Sequence, residues 1–486
     1  MTLKHLSRLP AIILAALALM TACSHGADDE AARIARVEQD LLPSVRVRGR
    51  SYTPASIEAR MRHFGVPAVS VAVIHDGRIA WARAYGMADV ESKRAATPAT
   101  LFQAASMSKP VAATGALVLV QEGRLELDRD VNETLTSWKV PASDLTAREP
   151  VTLRRLLTHT AGLTVHGFEG YAAGEPVPTV VQVLDGSPPA NSPPVRVDVV
   201  PGSTWRYSGG GMTVMQLLMA DAAGTPFPEL MRRRVLEPLG MRESTFQHPL
   251  PASLAARAAT GYQAGGEPVE GRYHTYPEMA AAGLWTTPSE LARWLVGIGR
   301  LAAGERGALL RRETAQAMLT PGLGGWGLGM GVRGAGDSLE IRHSGSNAGF
   351  RGQFVGFPHR GEGAVVMANS DEGGVLVSEI AAAIAREYGW PGAAAQEIVA
   401  APVTPGVLES YAGRYTLPNT PIELSVSREN GRLFFGMGGG QKAELVPTGR
   451  DAFRDAVGGG EVTFERGRDG RVAAMRVGGE RLPRTP

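Results

Sequence analysis

The feature that most restricts what this chain can fold into is where its strand-like runs fall. Residues 66–74 form an apolar, β-branched run; a turn at His75-Asp76-Gly77-Arg78 and a return run over 79–85 complete a hairpin. Comparable runs do not come back until 339–343, 352–357 and 363–368. The stretch between carries apolar residues at helical spacing, over 110–122, 153–158, 212–223, 229–236, 288–301 and 313–318, and a last helical pattern follows at 375–388. Strands at both ends of a helical middle predict an α+β domain whose single sheet joins segments hundreds of residues apart in sequence.

Outside this domain the chain changes character. Lys4 and Arg8 precede an uninterrupted apolar run over 11–20, and Met20-Thr21-Ala22 places small residues before Cys23, which reads as an export signal over 1–22. The run is shorter than the roughly 18 to 20 residues needed to cross a bilayer. Residues 23–50 read as a tether that ends in a short amphipathic helix carrying Ile34, Val37, Leu41 and Leu42. The main domain is expected over 51–390, an Ala-, Pro- and Gly-rich linker over 391–406, and a small all-β domain over 407–486, folded about Asn430-Gly431 and Asp469-Gly470. A proline-rich stretch over 167–201 is either a substrate lid or a passive insertion.

Charge and cysteine usage exclude several functions. Fifty basic residues face 48 acidic ones, and with residues 1–22 removed the balance is 48 to 48, so a nucleic-acid partner is not expected. One cysteine cannot form an intrachain disulfide or a cysteine-based zinc site. No H-E-x-x-H and no G-x-S-x-G occurs, which disfavours a zinc protease and an α/β-hydrolase, and neither metal nor cofactor is expected. Gly329-Met330-Gly331-Val332-Arg333-Gly334 has dinucleotide-loop spacing, but no helix start follows it, so it reads as a glycine-rich strand and turn.

The basic residues themselves point to chemistry. Only five are lysine (Lys4, Lys93, Lys109, Lys139 and Lys442); every other one is arginine. An ammonium can be tuned by burial and a guanidinium effectively cannot, so a retained lysine suggests a proton to be moved. Lys109 closes Ser106-Met107-Ser108-Lys109, the only Ser-x-x-Lys in the chain. Pro110 fits only the first turn of a helix, so the helix starts near Ser106 and positions i and i+3 share a face. Ser106 Oγ and the Lys109 amine are thereby expected side by side, as an activated serine requires.

Three further motifs accompany this one: Trp205-Arg206-Tyr207-Ser208-Gly209-Gly210-Gly211, Arg342-His343-Ser344-Gly345-Ser346, and Leu157-Thr158-His159-Thr160-Ala161-Gly162-Leu163. Together, with matching order and spacing over about 56–388, they resemble the serine β-lactamase and penicillin-binding-protein superfamily, in its β-lactamase-related, class C-like branch. The strands from Tyr411 onward resemble the lipocalin-like barrel often appended to such hydrolases, and Cys23 resembles the lipidated cysteine of bacterial lipoproteins; ordinary signal cleavage nearby is the alternative.

The resemblance implies an antiparallel sheet flanked by helices with a helical subdomain, and an acyl-enzyme mechanism. In it Ser106 is the nucleophile, Lys109 its activating partner and Tyr207 the general base and later acid, while His343 stands where the usual strand has Lys. The backbone N–H groups of Ser106 and Ser346 would form the oxyanion hole. A phenol acts near neutral pH only if cations favour its phenolate, so Lys109 and a protonated His343 are expected to supply them. His343 is accordingly expected to make activity pH-dependent across roughly 6 to 8. Ser208, Gly209, Ser344 and Gly345 are candidate substrate contacts, and His159 is expected to order a loop. The usual Tyr-x-Asn reads Tyr207-Ser208-Gly209, which argues against efficient β-lactam hydrolysis. The implied activity is hydrolysis of a small ester or amide, with peptides and peptidoglycan fragments among the substrates. A D-amino-acid peptidase or D-Ala-D-Ala carboxypeptidase is the close alternative and β-lactamase the third. A non-catalytic cell-envelope binding protein is the reading from another class. The expected location is periplasmic and membrane-anchored through Cys23; oligomeric state stays open.

Overall fold

A computed structural model describes residues 29–305, 307–417, 423–437, 442–478 and 480–485. Cys23 and the export signal lie outside the described residues. No helix among those described is long and apolar enough to cross a membrane.

The strands are, in chain order, β1 (Val45–Val47), β2 (Ala68–His75), β3 (Arg78–Asp89), β4 (Arg94–Ala95), β5 (Phe102–Gln103), β6 (Trp285–Thr286), β7 (Gly331–Arg333), β8 (Glu340–Asn347), β9 (Phe350–Phe357), β10 (Glu362–Ala368) and β11 (Gln396–Ile398). The central sheet has seven strands in the order β4-β3-β2-β10-β9-β8-β7. The expected long-range closure is the β2–β10 pairing, antiparallel, with Val71 opposite Val366 and Val69 opposite Ala368. Asp76 and Gly77 both take positive φ at the β2–β3 turn, which lets the two strands close tightly. β2 and β10 are buried on both faces, as their unbroken apolar runs require. One face packs on the helix Gly373–Glu387 through Val366, Leu376 and Ile380, and the other on the helical subdomain through Val365, Met367 and Leu295.

Asn369 ties this closure together. Its Oδ1 accepts from Ala68 N at 2.7 Å and its Nδ2 donates to Thr260 O at 3.0 Å, so one fully buried amide joins β2, the end of β10 and the loop that bridges toward the helical side.

Segments expected to be passive are packed. The helix over 29–39 buries Ile34 and Val37 against the sheet cluster, and β1 pairs in parallel with β11, so part of the stretch read as a tether braces part of the stretch read as a linker. Val45, Val47, Ile398 and Val446 form a small apolar cluster where these strands meet the C-terminal unit, which Arg50 clamps by a two-pronged pair with Glu444. The proline-rich stretch is also packed. It contains the helix Val180–Asp185, buries Tyr171 and Val195, and is tied to the 163–164 loop through Arg196. None of residues 167–201 lines the cleft described below, whereas His166, just before them, does.

The C-terminal strands, β12 (Gly413–Thr416) through β19 (Glu480–Thr485), run as an antiparallel meander that closes on itself. Asn430-Gly431 makes the expected tight turn, both residues at positive φ. The interior is filled by Tyr411, Tyr415, Leu433, Leu445, Phe453, Phe464 and Met475.

Replacing Asn369 by Ala leaves Ala68 N–H and Thr260 C=O without partners, so Asn369→Ala is expected to destabilise the main domain by about 3 kcal/mol in urea unfolding. An unchanged midpoint would show that this amide does not hold the sheet closed.

Candidate functional site

The site is built where the chain leaves β5. Ala104 N donates to Leu284 O, Ala105 takes a left-handed φ of +50°, and Ser106 sits on the tight turn Ala105–Met107 that leads into the helix Ser108–Gln121. A non-glycine residue in that conformation costs about 1 to 3 kcal/mol and persists only where its surroundings impose it. Here the imposition comes from both sides: Leu284 N donates to Ser108 Oγ, and strand β8 presses on the turn. A Cβ at Gly345 would lie 2.3 Å from Ala104 O, so only glycine allows that approach. Gly345 therefore serves the packing of strand on turn. The helix itself is buried on nearly every side from Ser108 to Leu119, as a helix apolar all round must be.

Lys109 is 2% exposed. Its Nζ lies 2.9 Å from Ser106 Oγ and donates to Ala281 O at 2.7 Å, while the Tyr207 ring sits with its centroid 4.9 Å away. Among the described residues no carboxylate pairs with it. Burial alone pulls the amine from 10.5 down to about 7. Near neutral pH its free base can donate to Ala281 O and turn its lone pair to the Ser106 hydroxyl. Tyr207 hydrogen-bonds with Ser106, and burial pushes its phenol above the usual value. The phenol stays protonated, so the expectation of a cation-stabilised phenolate does not hold.

The expectation for His343 is also corrected. Its ring is buried and shares the cleft with Lys109; desolvation first, and the lysine charge second, press its pKa down to about 3. His343 is neutral throughout the range in which it was expected to titrate. Its Nδ1 lies 2.6 Å from Ser344 O, and a carbonyl only accepts, so Nδ1 carries the proton.

Neither Ser208 nor Gly209 lines the cleft around Ser106. The Ser208 hydroxyl donates to Thr164 O at 2.8 Å and accepts from Gly211 N at 2.9 Å, capping the helix Gly209–Ala223, and is fully used within the fold. A Cβ on Gly209 would meet His166 O at 3.0 Å, so this position faces the 166–168 loop. Ser344 and Ser346 line the cleft. β7 covers β8 only over Glu340 to Arg342, which leaves the β8 edge beyond open toward Ser106.

The cleft beside Ser106 is walled by Trp205, Trp326, Tyr207, His166 and His343, and is continuous with a larger cavity that extends to Trp390 and Val457. Trp326 and His166 belong to none of the motifs singled out in the sequence. Tryptophan in a glycine-rich run at Gly324-Gly325-Trp326-Gly327 was the available signal, since glycine there lets the chain close on an indole: a Cβ at Gly324 would lie 2.6 Å from Trp205. His159 lies beneath this wall, its ring 4.3 Å from that of Tyr207. Its carbonyl accepts from Arg206 N at 2.8 Å and its Nδ1 accepts from Ser208 N at 3.2 Å, so one residue grips the chain on both sides of Tyr207. Burial keeps this histidine neutral.

Among the described residues the one grouping of side chains with metal-ligand spacing is His75, Asp76 and Glu362, at the β2–β3 turn. Glu362 there is already engaged, accepting from Trp390 Nε1 at 2.9 Å and holding His75 Nδ1 at 2.7 Å.

A family model described as Beta-lactamase matches residues 55–388. The esterase EstB of Burkholderia gladioli is 34% identical over 203 residues, covering 39% of this chain and 49% of the esterase. A D-aminopeptidase of Brucella anthropi is 24% identical over 305 residues, covering 60% of this chain and 54% of that enzyme. The matched part spans about half the length of these curated relatives. Among solved structures, the octameric penicillin-binding protein homologue from Pyrococcus abyssi superposes with a TM-score of 0.60 at 22% identity, covering 88% of this chain and 98% of the other; this likeness is one of fold.

If His159 positions Tyr207 through Ser208 N–H, then His159→Gln should lower kcat on an activated ester at least tenfold with KM little changed. His159→Asn, whose Oδ1 falls near the Nδ1 position and which tolerates the left-handed φ of +56°, should recover most of it. Equal losses in both variants would reduce His159 to a packing role.

Proposed function

The chain belongs to the β-lactamase family, and on that premise we propose that it is a serine hydrolase that cleaves an ester or amide through an acyl-enzyme on Ser106. The single observation that carries the reading is the buried, carboxylate-free Lys109 amine 2.9 Å from Ser106 Oγ. A surface serine and lysine need no such burial; a nucleophile and its base do.

The steps follow from the charge states. The Lys109 free base takes the Ser106 proton as Oγ attacks the scissile carbonyl. The oxyanion is received by the backbone N–H groups of Ser106 and of Ser346 on the open β8 edge. Tyr207, a phenol beside the newly formed Lys109 ammonium, gives its proton to the leaving group, and the ammonium restores it. Water then attacks the acyl carbon as the same pair takes its proton, and that proton passes to Ser106 Oγ as the acid is released. Ester hydrolysis is favoured over β-lactam hydrolysis because Ser208 is engaged within the fold and Gly209 offers no side-chain amide to hold an acylamide. A D-amino-acid peptide hydrolase is the second reading, favoured by the match to a D-aminopeptidase over 60% of this chain.

We place the protein outside the cytoplasm, anchored through a lipid on Cys23. The sequence over 1–23 supports this, and Cys23→Ser is expected to move the protein from the membrane to the soluble fraction; unchanged fractionation would contradict the anchor.

Fluorophosphonate labelling and 4-nitrophenyl ester turnover test the chemistry. Both are expected in the parent and neither in Ser106→Ala; their absence from the parent contradicts the reading. Because Lys109 must be unprotonated to act, kcat/KM should be lost as pH falls through about 7 and be full above it. A limb near 10, the ordinary lysine range, or a flat profile between 6 and 8 would contradict a buried lysine base.

A further inference from the structure

His343 presents a feature that the hydrolytic steps do not use. The ring is neutral and its Nδ1 proton is committed to Ser344 O at 2.6 Å, so Nε2 is left as a lone-pair acceptor. That atom is buried without a hydrogen-bond partner, on a side chain that is 7% exposed and lines the cleft together with Ser106 and Tyr207. The groups around it cannot satisfy it. The ring of Trp326 is 5.4 Å away and that of Tyr207 6.1 Å, centroid to centroid, and no donor of either reaches Nε2. A buried acceptor that no protein donor satisfies gains most from a ligand that brings a donor to it.

Its position says which part of a ligand that would be. His343 and Gly345 lie on the same face of β8, about 6.6 Å apart along the strand. Gly345 abuts the Ser106 turn and His343 lines the same cleft as Ser106, so an acyl group held on Ser106 would share that cleft with the imidazole. A lysine here would present only donors and would suit an anionic substituent. Histidine in this tautomer reverses that polarity.

We propose that His343 Nε2 accepts a hydrogen bond from the substrate's acyl group, so that the site selects acyl groups with a hydroxyl or N–H beside the scissile carbonyl over plain alkyl ones. The proposal rests on the hydrolase reading above and narrows it to hydroxyacyl or aminoacyl-type esters and amides. His343 thereby determines specificity without taking part in the proton transfers.

The test compares 4-nitrophenyl propanoate with both enantiomers of 4-nitrophenyl lactate, each kcat/KM divided by that ester's hydroxide rate constant. The parent is expected to prefer at least one lactate by about tenfold or more, the scale set by a site left with an unpaired buried group. His343→Gln, which keeps a carbonyl acceptor, should retain most of the preference, and His343→Lys, which has only donors, should abolish it. Turnover of all three esters without preference in the parent, or the same preference in His343→Lys, overturns the proposal and leaves the hydrolase reading standing. No turnover of any ester together with no Ser106 labelling overturns both.

Discussion

The burial of one amine organises the site. Lys109 sits on the first turn of a helix that is apolar all round, with a serine hydroxyl and a main-chain carbonyl as its polar contacts and no carboxylate to hold its charge. An ammonium taken out of water without a counter-ion gives up its proton more easily, and that shift turns a lysine into a base near neutral pH. The same burial sets the other two groups. His343, sharing the cavity, is held neutral by desolvation and by the lysine charge, and Tyr207 is held as a phenol. Each group's role follows from keeping water and counter-charges away, which is why the surrounding wall of Trp205, Trp326 and His159 belongs to the chemistry as much as the serine does.

That geometry depends on long-range closure. Ser106 follows β5, Tyr207 precedes the helix Gly209–Ala223, His343 lies on β8, and the Ala281 carbonyl comes from the short helix Met279–Ala282 before β6. These pieces meet because β2 pairs with β10 and carries β9 and β8 into register beside the serine turn. Gly345 and Ala105 mark where the pieces are pressed closest: one has no Cβ to spare, and the other holds a left-handed backbone.

Much of this was legible in the sequence, and the division is physical. The Ser-x-x-Lys pairing is local, since i and i+3 on a helix are neighbours whatever lies around them, and the β-branched runs at both ends could only be strands. What depended on tertiary partners was not legible. Ser208 looked available for substrate, but its hydroxyl donates to Thr164 O, in a distant loop. His343 looked titratable because nothing beside it in sequence suppresses its charge; the cavity that does so is assembled from segments far apart in the chain, among them those of Ser106, Tyr207 and Trp326. The tether and linker looked solvent-exposed because three-residue strands such as β1 and β11 leave almost no periodicity, and only their pairing reveals them. The barrel was read from its hairpin turns, whereas its filled interior is a property of how Tyr411, Phe453 and Phe464 meet.

The scarcity of lysine makes the central claim directly measurable. With only five lysines in the chain, selective carbon-13 labelling of lysine side chains gives a spectrum in which Lys109 can be assigned by its loss in Lys109→Arg. Titrating the parent by NMR should show the Lys109 resonance shifting with a midpoint near 7. A Lys109 resonance with a midpoint in the ordinary lysine range, about 10.4, would mean that the amine remains an ammonium at neutral pH, and activation of Ser106 by a neutral Lys109 would be contradicted.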